Sequence, residues 1–179
     1  LLFFWVAALL VWLVIAAIDF REYVIPNELN VLLAIFGVII AALLFSYGGK
    51  IFPFRQSFLE QYQLLFSPFQ NIILGHLLGM FAGGLFFGLL VFLSRGKGMG
   101  MGDVKLALAS GLVLGWPDIA LATLVSFLLG GLVGGILLAL GKKRIKDRLP
   151  FAPFFVLGVF IAIFLGHGLV SGYFSLFGI

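Results

Sequence analysis

Apolar runs of membrane length occupy most of this chain and strongly restrict its possible folds. Of the 179 residues, 63% are hydrophobic and only 10% are charged, whereas about 25% of a typical soluble domain is charged. A helix needs about 20 apolar residues to cross a bilayer, and several runs here reach that length. The sequence therefore predicts an all-α, polytopic membrane protein whose main solvent is lipid.

We predict six transmembrane helices within a single domain over residues 1–179. Their expected bounds are 1–18, 29–47, 72–93, 104–115, 119–140 and 154–170. The fourth is too short to cross a full bilayer unless its glycine-rich flanks extend it or it starts below the membrane surface. We expect Pro117 and Asp118 to end that helix and to cap the next one.

Glycines in the third predicted span recur every four residues, at Gly75, Gly79 and Gly83. Two further pairs with this spacing lie in the fifth, Gly130 with Gly134 and Gly131 with Gly135. Small residues at this spacing let helix backbones approach closely within a bilayer. We expect internal packing here rather than a dimer interface.

The basic residues indicate how the chain is oriented. Nine of the 11 fall in or beside the segments 19–27, 95–105 and 141–150, and only Lys50 and Arg55 lie elsewhere. The positive-inside rule makes the first group cytoplasmic. The net charge of +4 is therefore read as a topology signal and not as a nucleic-acid surface. The predicted location is the plasma (inner) membrane.

Two acidic residues stand at the edges of predicted spans, Asp19 after the first and Asp103 before the fourth. The number of spans between them places both carboxyl groups at the cytoplasmic face. Acidic groups near hydrocarbon are costly and usually functional, and two carboxyl groups together can perform acid–base hydrolysis. Taken singly, Asp103 could be only a helix N-cap and Asp19 only a solvated loop residue.

The chemistry available to the chain is further restricted by its composition. It has no cysteine, which excludes disulfides, cysteine-ligated zinc and a thiol nucleophile. No group of His, Asp and Glu has metal-ligand spacing, and no phosphate-binding Gly-Lys-Ser/Thr step follows the glycine-rich segment. We expect no metal, nucleotide or other cofactor.

Three segments together resemble the type IV prepilin peptidases, a family of membrane aspartyl proteases with a Gly-x-Gly-Asp motif. The matching residues are Asp19 with Ile25-Pro26-Asn27, then Gly100-Met101-Gly102-Asp103-Val104-Lys105, then Pro150-Phe151-Ala152-Pro153-Phe154. The resemblance implies that Asp19 and Asp103 are catalytic. It also implies a prepilin or pseudopilin substrate, cut where its basic leader meets its apolar helix.

Many members also carry an N-terminal segment with Cys-x-x-Cys pairs, linked to N-methylation of the new amino terminus. With no cysteine in this chain, we expect a peptidase domain without the methyltransferase-type segment. The helix dipoles suggest that Asp103, at a helix start, is the anion and that Asp19, at a helix end, holds the proton.

Four residues are candidates for substrate binding or support: Gly100, Gly102, Lys105 and Asn27. Glycines at 96, 98, 100 and 102 allow positive φ or close substrate approach. Lys105 could hold a substrate carbonyl or extend to the interface, and Asn27 could cap the second helix. The alternatives are a preflagellin or presenilin-like protease, or a small proton-coupled transporter, although a transporter would place its acidic residues near the midplane.

Overall fold

In a computed structural model of the chain, the described residues are 1–48, 57–59, 71–96, 98–142 and 149–176. All regular secondary structure in these ranges is helical, which agrees with the predicted all-α class. The helices are α1 (Leu2–Glu22), α2 (Asn27–Gly48), α3 (Ile72–Leu93), α4 (Met101–Leu114), α5 (Asp118–Ala139) and α6 (Ala152–Leu176).

Five of the six described helices are long and apolar enough to cross a membrane, and α4 is the exception. Its 14 residues span about 21 Å at 1.5 Å per residue, against about 30 Å of hydrocarbon. The outward faces of the long helices are apolar, as Phe92 (78% exposed) and Leu128 (65% exposed) illustrate. Burial of these faces in lipid accounts for the composition.

The short helix α4 lies at the centre of the bundle. It packs against α2, α3 and α5, and eight of its 14 residues are buried. The residues just after α4 lie beside the beginning of α3, where the Trp116 N–H donates to the Gly75 carbonyl at 2.9 Å. Buried Trp12 of α1 donates its indole N–H to Ser110 Oγ at 2.8 Å. The central helix is thus fixed to its neighbours by packing and by hydrogen bonds.

Glycines allow α3 and α4 to lie in backbone contact. A Cβ at Gly83 would come within 2.8 Å of the Ala107 carbonyl oxygen, and one at Gly111 would overlap Gly79 of α3. The expectation of internal packing is therefore confirmed for Gly79 and Gly83. A Cβ at Gly131 or Gly135 of α5 would meet no atom within 4 Å.

The beginning of α5 differs from expectation. Pro117 is the residue that precedes α5, and Asp118 does not cap it. Instead, the buried carboxylate accepts hydrogen bonds from Ser57 Oγ at 2.8 Å and from the Phe58 N–H at 3.3 Å. The capping prediction for Asp118 was wrong because this side chain binds a distant segment of the chain. Its role is to hold residues 57–59 against the bundle end opposite Asp103.

Candidate active site

Asp19 lies in the last turn of α1 and is buried, with 5% of its surface exposed. Its Oδ2 accepts a hydrogen bond from the Ala152 N–H at 2.9 Å, and Ala152 is the first residue of α6. The first N–H groups of a helix have no partner within that helix. The Asp19 carboxyl therefore joins the end of α1 to the beginning of α6.

This contact weakens the dipole argument about which aspartate holds the proton. The end of α1 disfavours a negative charge on Asp19, as the sequence suggested, but the N-terminus of α6 favours one. The two helix ends act in opposite directions on the same carboxyl. The dipoles alone therefore do not assign the proton to Asp19.

Asp103 is the third residue of α4 and is half-buried. Its Oδ2 accepts from the Gly100 N–H at 3.0 Å, and its own N–H donates to the Gly100 carbonyl at 3.2 Å. Gly100, not Asp103, is the N-cap residue. The Asp103 carboxylate nevertheless accepts from the N–H of this N-cap residue, so the side chain contributes to the start of α4.

Burial raises the pKa of Asp103, which lies outside the five membrane-length helices, to about 6. The charge of Asp19 raises this pKa further, and the Gly100 N–H acts in the opposite direction by stabilising the anion. The two carboxyl groups are thus near enough to interact electrostatically. The Asp103 carboxyl therefore keeps its proton to a higher pH than an ordinary aspartate does.

Both aspartates line one cavity of about 990 Å³. All six predicted site residues lie on its wall: Asp19, Asn27, Gly100, Gly102, Asp103 and Lys105. Residues of α5, of α6 and of the segment just before α6 also line it: Phe127, Gly130, Gly131, Phe154 and Phe151. The fold therefore brings two carboxyl groups from different helices to a space large enough for a segment of polypeptide.

Lys105 and Asn27 contact each other directly. Lys105 Nζ donates to Asn27 Oδ1 at 2.8 Å, and both side chains are exposed. The hydrogen bond connects the start of α2 with the first turns of α4. It thereby links the segment that follows Asp19 to the helix that carries Asp103.

The glycine-rich segment before Asp103 is only partly as expected. Of the four glycines, Gly96 alone has a positive φ (71°). Close approach is the reason for Gly102, where a Cβ would lie 3.2 Å from Ile25 Cβ. Thus Gly102 allows the segment after Asp19 to pack on the start of α4, and it does so without an unusual backbone conformation.

Sequence reasoning missed the α5 wall and the backbone partner of Asp19. Phe127 packs on Phe151, with ring centroids 5.2 Å apart. The Pro150–Pro153 segment had indicated this region, but no sequence signal marked the Ala152 N–H as a hydrogen-bond donor to Asp19. His76 of α3 contacts the Leu112 carbonyl through Nδ1 at 2.9 Å and does not line this cavity.

Among the described residues, no three His, Asp or Glu side chains are grouped so as to hold a metal ion.

Comparison with known proteins assigns the sequence to a family. The sequence model of the Type IV leader peptidase family matches residues 6–135, a range that holds both aspartates. The chain belongs to the type IV leader peptidase family. The resemblance inferred from the three motifs is thereby confirmed.

Curated relatives of this leader peptidase family member carry the name prepilin leader peptidase/N-methyltransferase. The relative from Bacillus subtilis is 35% identical over 125 residues, which cover 70% of this chain and 49% of the relative. The relative from Aeromonas salmonicida is 26% identical over 171 residues, or 94% of this chain and 52% of the relative. The chain thus spans about half the length of these relatives. No solved structure matches it.

Proposed function

We propose that the chain is a membrane-embedded aspartic endopeptidase that removes the leader peptide of type IV prepilins or pseudopilins. The observation that carries this proposal is the placement of Asp19 and Asp103 on the wall of one cavity. The name of the relatives, prepilin leader peptidase/N-methyltransferase, supports the substrate class. The peptidase domain proposed here extends over residues 1–179.

The proposed chemistry uses the two carboxyl groups as one acid–base unit. One carboxylate removes a proton from water as the water oxygen attacks the scissile carbonyl carbon. The other carboxyl group donates its proton to the carbonyl oxygen. In the collapse of the tetrahedral intermediate, the C–N bond breaks and the proton taken from water passes to the leaving nitrogen. One hydroxyl of the intermediate returns its proton to the second carboxylate as the C=O bond re-forms, which restores the singly protonated pair. No metal, nucleotide or other cofactor is needed for these steps.

The environment of the pair supports this use. Since two nearby carboxyl groups resist double ionisation, they share one proton over a range of pH and titrate as a unit. The raised pKa of Asp103, about 6, extends that singly protonated state toward neutral pH. Assignment of acid and base to individual residues is therefore less meaningful than the total charge of the pair.

The four supporting residues have proposed roles that follow from their contacts. Gly100 holds Asp103 through its N–H, and Gly102 permits close packing on Ile25. Lys105 and Asn27 maintain the link between α2 and α4. We propose that this hydrogen-bonded pair also contacts the substrate backbone, since both residues line the cavity.

We propose six membrane crossings, with the cavity at the cytoplasmic face of the plasma membrane. The crossing by α4 is supported by its return to Gly75 in the first turn of α3, although α4 has only 14 residues. Phe87 lies next to Phe151, one to two turns before the end of α3 at Leu93. The catalytic pair is thus proposed to lie slightly recessed from the membrane surface.

Cysteine labelling tests this topology, because the chain has no cysteine of its own. Lys142 is exposed just after α5, and Ser46 is exposed near the end of α2. We expect Lys142→Cys to react with an impermeant maleimide only from the cytoplasmic side, and Ser46→Cys only from the opposite side. Labelling of both variants from one side would contradict the six-crossing arrangement. The cysteine-free parent chain, which should not react from either side, is the control.

The proposed activity is tested with the purified chain and a full-length prepilin in detergent. We expect a single cut between the basic leader and the apolar helix, detected by mass spectrometry of both products. A prepilin with its helix intact but its leader deleted should remain uncut. Failure to cut several prepilins and pseudopilins, by protein that retains its helical circular dichroism, would refute the proposed function.

A further inference from the structure

Asn30 is a buried amide without an apparent partner. It lies on α2, one turn after Asn27, and 4% of its surface is exposed. Neither its Oδ1 nor its Nδ2 has a hydrogen-bond partner within the part of the chain that the structure describes. A buried polar side chain in this state costs free energy, and the catalytic scheme above does not use it.

Asn30 lines a second cavity, a groove of about 310 Å³, although its amide atoms are themselves buried. The rest of the groove is mostly apolar and is formed by Val31, Ala34, Met80, Leu108 and Leu112. These residues come from α2, α3 and α4. Val31 is 59% exposed, so the groove opens at the outer surface of the bundle rather than into its core.

The groove adjoins the catalytic cavity. Asn27 and Lys105 are on the wall of both spaces, and their hydrogen bond lies where the two meet. A polypeptide whose scissile bond lies between the aspartates could therefore extend past this pair and along α2. Such continuity makes the groove part of the substrate path rather than a separate site.

We propose that this groove binds the apolar segment that follows the scissile bond, and that the Asn30 amide rotates toward the groove to hydrogen-bond to the main chain of this segment. This inference rests on the proposed peptidase function. A peptide bond must leave a helix to be cut, and its freed N–H and C=O groups then need partners in apolar surroundings. The asparagine amide supplies both an acceptor and a donor, which complement one C=O and one N–H.

The helix spacing predicts which substrate residues Asn30 contacts. Asn27 and Asn30 are three positions apart on α2, which is about 4.5 Å along the helix axis. An extended residue advances about 3.3 Å. Asn30 therefore contacts the main chain roughly one or two residues beyond the substrate residue that lies at the Lys105–Asn27 pair.

A lipid acyl chain is the other candidate occupant of an apolar groove at a membrane surface. It would fill the space beside Met80 and Leu112, but it has no polar group for Asn30. The buried amide therefore favours a polypeptide. The two occupants give different results in the experiment below.

Asn30→Leu combined with backbone substitution in the substrate tests the inference. We expect kcat/KM for a prepilin to fall about tenfold, while Tm stays unchanged or rises because an unpaired amide has been removed. In a series of peptide substrates, each with one amide replaced by an ester, one position after the scissile bond should cost the wild-type enzyme about tenfold. The same ester should cost the Asn30→Leu enzyme nothing.

Controls separate this result from a loss of folding. Ser126 is a buried polar residue whose hydroxyl is bonded within α5, to the Ala122 carbonyl, and Ser126→Ala should leave kcat/KM within twofold. Asn30→Ala provides a second variant if the leucine is not accommodated. Each variant is assayed only at temperatures well below its measured Tm.

Three outcomes would overturn the inference. One is cleavage by Asn30→Leu within twofold of wild type. Another is a loss of activity in this variant that no ester position reproduces. The third is a loss that changes with the acyl composition of the surrounding lipid, which would assign the groove to lipid. If the wild-type chain cleaves prepilin and Asn30→Leu cleaves it equally well, this inference alone fails and the proposed function stands.

Discussion

Asp19→Asn and Asp103→Asn should each reduce prepilin cleavage by about 10³-fold or more, because either change removes one half of the acid–base pair. Both variants should fold, since asparagine nearly matches aspartate in shape and its Oδ1 can still accept from the Ala152 or Gly100 N–H. Residues that act as a unit give non-additive losses. The double variant should therefore be no less active than either single variant, as measured by single-turnover cleavage with mass spectrometric detection.

Asp118→Asn is the matched control for these variants. Asp118 is also a buried aspartate, but it binds Ser57 and Phe58 and is not on the wall of the catalytic cavity. We expect this variant to retain cleavage at any temperature where it is folded. If Asp19→Asn or Asp103→Asn retained a substantial fraction of wild-type turnover, the assignment of the catalytic pair would be wrong.

The helices themselves were largely predictable, because a chain in lipid must satisfy its backbone within each apolar run. The predicted third span, 72–93, coincides with α3. The start of α4 was predicted at 104 but lies at Met101, since the reciprocal hydrogen bonds between Gly100 and Asp103 add the first turn. The end of α6 was predicted at 170 but lies at Leu176, where polar Ser171 and Ser175 are accommodated by hydrogen bonds to carbonyls of their own helix.

The membership of the candidate site was predictable only in part. Asp19 and Asp103 stood out because carboxyl groups at the edge of apolar runs are rare, and their motifs added further support. Which groups surround them depends on tertiary packing. The contact of Asp19 with the Ala152 N–H joins residues 133 positions apart, and a backbone donor leaves no mark on the sequence.

The sequence pattern also did not indicate that Asn30 is a residue of interest. In the sequence it is one more polar residue near the beginning of a helix, close to Asn27 and Glu28. Its significance comes from burial against α4 without a hydrogen-bond partner among the described residues. Burial and pairing are properties of the assembled bundle, so neither could be read from local composition.

Gly102→Val should abolish most cleavage while costing little stability. A Cβ at this position would lie 3.2 Å from Ile25 Cβ, and the two valine methyl groups would push the segment after Asp19 away from α4. Small-to-large changes of this kind typically cost about 1–3 kcal/mol. A displacement of even about 1 Å between catalytic groups can reduce the rate about 10²-fold. We therefore expect a loss of at least about 10²-fold in kcat/KM and a modest decrease in Tm.

A graded series makes the steric cause of this effect testable. Gly102→Ala adds only the Cβ, so its loss of activity should lie between those of wild type and Gly102→Val. Gly88→Val is the matched control, because a Cβ at Gly88 in α3 would meet no atom within 4 Å.

Wild-type turnover by Gly102→Val would exclude a role for this glycine in positioning the pair. Loss of activity in strict proportion to the unfolded fraction would make its role structural. The expected outcome, inactive protein that unfolds only slightly below the wild-type Tm, would mean that the distance between the Asp19 segment and α4 is what the glycine sets.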